Sequence, residues 1–168
     1  SLFAQAAAAK GISRDTHVVV YDTHGIFSAP RTAFTFSAFG HKAISVLDGG
    51  LPAWVAAGEA VDSASLEKEP SLSRGTYPDP SLESGRVRSF QEMLHNTTLG
   101  SSAQIVLDAR PKERFDGTIP EPRPNMASGH IPHALSMPFM SVLDKHEVNG
   151  QSFTTMKPQH ELWKVVSR

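Results

Sequence analysis

The chain has 168 residues, a formal net charge of -1 and no cysteine. That length suits one core of ordinary size or two small or partial domains, and the interspersed charges leave no basic face for nucleic acid and no polybasic tract for a membrane surface. The lack of cysteine excludes disulfides, thiolate metal sites and a cysteine nucleophile among these residues. No apolar run approaches the roughly 18 residues of a membrane span, so small molecules or proteins are the expected partners.

Ser1 to Ala6 reads as a helix already under way, and no Met precedes it. An excised or processed chain is therefore expected, with any targeting information lost. Leu2 to Lys10 is alanine-rich and helical, with Gly11 as its left-handed stop. His17-Val18-Val19-Val20-Tyr21 is apolar after its first residue, as for a parallel strand covered on both faces, and Asp22 closes it. The turn Asp22-Thr23-His24-Gly25 follows; an acid-base pair of Asp22 with His24 is conceivable there, and a polar turn is the plainer reading. Ser28 can cap a helix whose second residue is Pro30 and which should bury its phenylalanines. Gly40 ends it, Ala43 to Leu47 makes a second strand, and Asp48-Gly49-Gly50 leads into a helix from Leu51 to Ala57.

From Asp62 to about Arg86, Ser, Pro, Gly and Glu dominate and apolar periodicity disappears, which reads as a linker draped over the surface. Beyond it, Ser89 and Glu92 have capping-box spacing. Ile105 to Leu107 and Ala134 to Met137 read as strands, and Pro158 opens a helix with Leu162, Trp163 and Val166 as its apolar face. Trp54 and Trp163 read as core or interface residues. Between these last strands lies the densest chemistry in the chain: an apolar run that ends on Asp108-Ala109-Arg110, then a Gly/Pro-punctuated loop carrying Arg114 and Arg123. A strand delivering polar groups to a cleft has this pattern. His130 and His133 span a proline and form no helical metal pair, so no metal is inferred.

Two sets of motifs carry a family likeness. His17 to Asp22, Ser28-Ala29-Pro30-Arg31, Phe39-Gly40-His41-Lys42 and Val46-Leu47-Asp48-Gly49-Gly50-Leu51-Pro52-Ala53-Trp54 resemble the later half of the first domain of two-domain rhodaneses, the 3-mercaptopyruvate/thiosulfate sulfurtransferases. Leu107-Asp108-Ala109-Arg110, Arg114-Phe115-Asp116-Gly117-Thr118, Pro120-Glu121-Pro122-Arg123 and Gly129-His130-Ile131-Pro132 resemble the beginning of their second, catalytic domain. His133 stands where the family typically has Gly, and Ser136 where Asn is usual.

The resemblance implies an α/β fold, a rhodanese-like parallel sheet flanked by helices, in two tandem domains that are partial here. Residues 1–61 correspond to the later half of the non-catalytic domain, 62–86 to the linker and 87–168 to the first half of the catalytic one. It implies a catalytic Cys loop after the next strand, beyond Arg168; its first-domain counterpart, Asp22 to Ser28, carries no Cys. It further implies that Arg114 and Arg123 hold the carboxylate of 3-mercaptopyruvate through paired hydrogen bonds. Arg123 at the end of the Pro-Glu-Pro tetrapeptide leans toward that donor over thiosulfate. Arg110 is a secondary substrate contact whose main reading is a pair with Asp108, while Asp108 and His130 are structural. In the implied chemistry a Cys thiolate takes the donor's sulfur as a persulfide and passes it to a thiol such as thioredoxin, or to cyanide, with no cofactor. Mitochondrial and cytoplasmic residence stay equally open. Two other readings remain: a catalytically inactive rhodanese-like module that binds proteins, and a circularly permuted single domain built from the two halves.

Overall fold

The computed structural model describes residues 1–63 and 73–167. Along the chain these form α1 (Leu2–Ala9), β1 (Val18–Val20), α2 (Ala29–Ala38), β2 (Ile44–Val46), α3 (Gly50–Ala56), α4 (Phe90–Asn96), β3 (Leu107–Asp108), α5 (Lys112–Phe115), β4 (Leu135–Ser136), β5 (Leu143–Val148), β6 (Gln151–Met156) and α6 (Gln159–Val166). Two units emerge, residues 1–86 with 145–156, and residues 87–144 with 157–168. No helix among the described residues is long and apolar enough to cross a membrane.

In the first unit β1 and β2 run parallel, Val18 opposite Ile44 and Val20 opposite Val46, with α2 as the crossover that packs on both. The interior is small-residued: Ala4, Ala7 and Ala8 of α1, Ala29 and Ala38 of α2 and Ala56 of α3 are buried. Phe3 stacks on Phe39 at 4.5 Å and meets Phe36 edge-on at 5.1 Å. His41 is the largest fully buried side chain. Its Nε2 donates to the Thr16 carbonyl at 2.9 Å, which leaves Nδ1 to accept from the Tyr77 hydroxyl at 2.9 Å. That bond ties part of the predicted linker down, helped by Gly75 N–H to the Ala8 carbonyl and Glu83 N–H to the Ala38 carbonyl. The stretch 64–72 of the expected linker lies outside the described residues.

Two sequence expectations fail in this unit, and a third is narrowed. Strand β1 is not fully covered on both faces, since Val19 is 56% exposed in an open hollow it shares with Leu51, Trp54 and Val61. Phe34 of α2 is exposed, because the helix turns Phe36 toward Phe3 and buries Ala38 instead. Trp54, read as core or interface, is 42% exposed, which leaves the interface reading, and its indole N–H donates to the Ala60 carbonyl.

The hairpin β5–β6 has no forerunner in the sequence reading, which placed all of 87–168 in the second unit. Asn149 (φ 50) and Gly150 (φ 75) both occupy the left-handed region, as a two-residue hairpin turn requires. Residues 145–156 pack in the first unit, on α3 and on the Asp22 loop. Thr154 Oγ1 accepts from Ile26 N–H, Asn149 donates to the Ala56 carbonyl and Asp48 accepts from Met156 N–H. Gly25 (φ +105) makes the approach possible: a Cβ there would stand 2.5 Å from the Thr154 carbonyl oxygen.

In the second unit β3 and β4 pair in parallel, Leu107 opposite Leu135 and Asp108 opposite Ser136. α4 carries the expected capping box, Ser89 Oγ accepting from Glu92 N–H while the Glu92 carboxylate accepts from Ser89 N–H. The buried Asn96 closes α4 onto the segment before β3 by exchanging two bonds with the Gln104 backbone. In α6 the apolar face differs from expectation: Leu162 and Val165 are half-buried, whereas Trp163 (66%) and Val166 (65%) face solvent.

Candidate functional site

Strand β3 ends on Asp108, whose carboxylate organises the turn that follows. Its Oδ1 accepts from Arg110 N–H at 2.9 Å and from Arg110 Nε at 3.0 Å. Arg110 then reaches onward, with Nη1 to Glu121 at 2.7 Å and Nη2 to the Gly129 carbonyl at 2.6 Å. Pro111 starts α5, the single turn that sets Arg114 facing the same carboxylate, and Arg114 Nη2 pairs with Glu121 Oε2. Glu121 is thus shared by two guanidiniums, and its side chain is only 1% exposed. Removing a carboxylate from water is unfavourable unless paired charges and hydrogen bonds compensate, and these two supply both.

His130 braces the far wall. Its Nδ1–H donates to the Phe115 carbonyl at 2.8 Å, and its ring stacks on Phe115 with centroids 3.8 Å apart. Between these walls lies an open hollow of about 560 Å³ whose polar lining includes Asp108, Arg110, Arg114, Glu121, Ser128 and His130.

Ionisation follows from the pairing. The hydrogen bond from Arg110 holds the Asp108 carboxyl below the usual range, against its partial burial. Arg114's hydrogen bond does the same for Glu121, again against desolvation, and the charges of Arg114 and Arg110 add to it. Both acids are therefore anionic at neutral pH, and Arg110, hydrogen-bonded to Asp108, is held more firmly protonated.

The expected residues fall into place unequally. Asp108, Arg110, Arg114 and His130 line one hollow, where Asp108 accepts from Arg110 N–H and His130 donates to the Phe115 carbonyl. Arg123 does not line the hollow; it is exposed on the loop two residues past Glu121 and has no partner among the described residues. Glu121, to which the sequence reading gave no role, is the pivot. The signal was legible, since an acid between two prolines and flanked by arginines at 114 and 123 has cationic partners within reach.

The two departures from the family pattern sit on awkward local structure. His133 has φ 65, a left-handed conformation that glycine adopts without steric cost. Ser136 Oγ is buried with no partner among the described residues. His133→Gly is expected to stabilise the protein by about 0.5–1 kcal/mol in urea denaturation, the relieved strain exceeding glycine's extra chain entropy.

The first unit repeats the motif of a loop closed on an acid. The Asp22 carboxylate accepts four backbone N–H bonds, from His24, Phe27, Ser28 and Ala29, at 2.8–2.9 Å. Burial opposes its ionisation, but the four amides prevail and lower its pKa to about 2. Ser28, the expected cap of α2, makes no side-chain capping bond; Asp22 serves that helix terminus instead. His24 joins through its backbone N–H, the polar turn rather than an acid-base pair.

A parallel βαβ crossover in the first unit, and a parallel strand pair whose first strand ends in an arginine-rich loop in the second, make this an α/β protein with a rhodanese-like fold. Residues 1–57 match the rhodanese-like domain, and relatives align over most of the length of this chain. It is 34% identical over 167 residues to a probable 3-mercaptopyruvate sulfurtransferase of Schizosaccharomyces pombe, covering 98% of this chain and 53% of that protein. It is 41% identical over 158 residues to a thiosulfate sulfurtransferase of Gallus gallus, covering 92% and 52%. The crystal structure of SseA, a 3-mercaptopyruvate sulfotransferase of Escherichia coli, superimposes with a TM-score of 0.75 at 26% identity, over 98% of this chain and 56% of that one. The chain spans about half the length of the curated relatives it matches.

Proposed function

We propose that this chain supplies the donor-binding wall of a sulfurtransferase that moves sulfur from 3-mercaptopyruvate, or from thiosulfate, to a thiol or cyanide acceptor. The observation that carries this reading is the hollow at the end of β3, with Arg114 in its lining and Arg123 unpaired among the described residues on the same loop. A guanidinium stays charged and can grip a planar carboxylate through two parallel bonds. Arg123 is the arginine still available for such a grip, while Arg114 is partly engaged by Glu121. Held by its carboxylate, the donor would present its sulfur to a cysteine thiolate. Attack on that sulfur forms a persulfide, breaks the sulfur–carbon bond and leaves the electron pair on pyruvate as its enolate, which takes up a proton. A thiol such as that of thioredoxin would then accept the sulfur. The 168 residues hold no cysteine, so they provide the grip and not the nucleophile.

The same composition favours a second reading, a rhodanese-like module that binds proteins without chemistry. Calorimetric titration separates them. Saturable binding of 3-mercaptopyruvate, with no pyruvate released, is expected for the donor-binding wall; no saturable binding would leave only the module. Release of pyruvate by this chain would contradict the requirement for cysteine.

A further inference from the structure

We propose that Asn149 is a self-modification site: its carboxamide deamidates spontaneously, and the carboxylate that results releases the β5–β6 hairpin from α3.

Asn149 and Gly150 form the turn of that hairpin, with φ 50 and 75. Of the chain's three asparagines, Asn96, Asn125 and Asn149, only the last precedes a glycine. That neighbour decides the chemistry. Ring closure needs the backbone nitrogen of the following residue to reach the asparagine Cγ, and glycine, without a Cβ, leaves this nitrogen unshielded and its backbone able to take the required conformation. Asn149 is exposed, and nothing among the described residues stands within 4 Å of the place a Cβ would take on Gly150. Asn125 is also exposed and left-handed (φ 62), but Met126 follows it. Asn96 is buried, with both ends of its carboxamide bonded to the Gln104 backbone.

In the reaction the Gly150 nitrogen gives its proton to hydroxide and attacks Cγ of Asn149. A bond forms between them, the bond from Cγ to Nδ2 breaks, and Nδ2 departs as ammonia with a proton from water, which restores the hydroxide. Water then opens the five-membered imide at either carbonyl and leaves aspartate or isoaspartate. The tie that disappears is specific. Asn149 Nδ2 donates to the Ala56 carbonyl at 2.9 Å, one of the last carbonyls of α3, which a helix leaves without an intrahelical donor. A carboxylate cannot donate that bond, and it brings negative charge to a helix C-terminus where the carbonyl dipoles already concentrate it. Isoaspartate also lengthens the backbone of a two-residue turn whose length sets the strand register. Ile26 N–H on Thr154 Oγ1 and Met156 N–H on Asp48 are then left to hold the hairpin without it. While the tie is made the carboxamide is kept on Ala56, so the reaction takes place when the hairpin opens and prevents its return.

The test ages the wild-type chain in mildly alkaline buffer and follows it by peptide mass spectrometry and amide hydrogen exchange. A gain of about 1 Da should accumulate in the peptide carrying residue 149 and not in those carrying Asn96 or Asn125. In the aged fraction the Ile26 and Met156 N–H groups should exchange about tenfold faster, for one lost hydrogen bond and a charge at the helix end. Leu135 and Met137 N–H, bonded to Val106 and Asp108 in the second unit, should keep their rates. Asn149→Asp should show the faster exchange from the outset, and the aged wild type gives the same reading if that variant fails to fold. No mass gain at residue 149, or one no faster than at Asn125, would overturn the site. A mass gain that leaves Ile26 and Met156 exchanging at their original rates would overturn the release.

Discussion

Replacing Asp22 by alanine is expected to destabilise the first unit by about 3 kcal/mol, because four backbone N–H donors lose their acceptor at once. Ala29 N–H is the most buried of them, at the first residue of α2, so α2 loses its N-terminal cap together with the loop's centre. Urea denaturation followed by Trp54 fluorescence in a Trp163→Phe background measures it. Asp22→Asn should fall between the two, keeping acceptor atoms but not the charge. The pH dependence has a definite sign. The folded carboxyl titrates at about 2, below its ordinary 3.8. Its contribution is therefore complete above roughly pH 4 and fades as pH falls toward 2. Wild-type stability should drop across that window, and that of Asp22→Asn should drop less. A protein whose Asp22→Ala variant unfolds at the wild-type urea concentration would show that the loop is held by something other than this carboxylate.

The second large effect concerns binding. Arg123→Ala is expected to weaken 3-mercaptopyruvate binding by about 30-fold, the loss of one charge-assisted, two-pronged contact. Thermal stability should stay unchanged, since the side chain is exposed and has no partner among the described residues. Arg114→Ala should lose both affinity and stability, because it leaves Glu121 buried with one guanidinium fewer. The contrast between the two arginines is the informative result. Equal losses of stability would mean that Arg123 has a structural partner in solution.

How much of this was legible in the sequence depended on whether a signal was local. The βαβ order of the first unit, the capping box at Ser89 and Glu92 and the turn bonds of Asp108 follow from patterns a few residues long, and the structure has them. The hairpin went unread although Asn149-Gly150 is a strong turn signal, because the flanking Lys145, His146 and Glu147 and then Ser152, Thr154 and Thr155 break the apolar alternation that marks a strand. Its strands are held instead through side-chain and backbone hydrogen bonds to Asp48, Ile26 and Ala56, residues about a hundred positions away. Faces were read less well than elements. Phe34, Trp54 and Trp163 are apolar and lie on helices, yet each turns to solvent, since helical spacing gives a stripe but not the partner that would cover it. At the site, a motif weights its residues alike. Only the geometry separates Arg110, bonded through all three nitrogens, from Arg114, bonded through one, and Arg123, unpaired among the described residues, and assigns Glu121 the bridging role.

The most direct measurement is the location of the donor. ¹⁵N-labelled protein titrated with 3-mercaptopyruvate should show shifts concentrated at Ser128, Gly129, His130 and the Arg114 Nε–H, saturating together and disappearing in Arg123→Ala. Shifts clustered instead on the Asp22 loop, or spread evenly along the chain without saturation, would contradict a donor site at the end of β3.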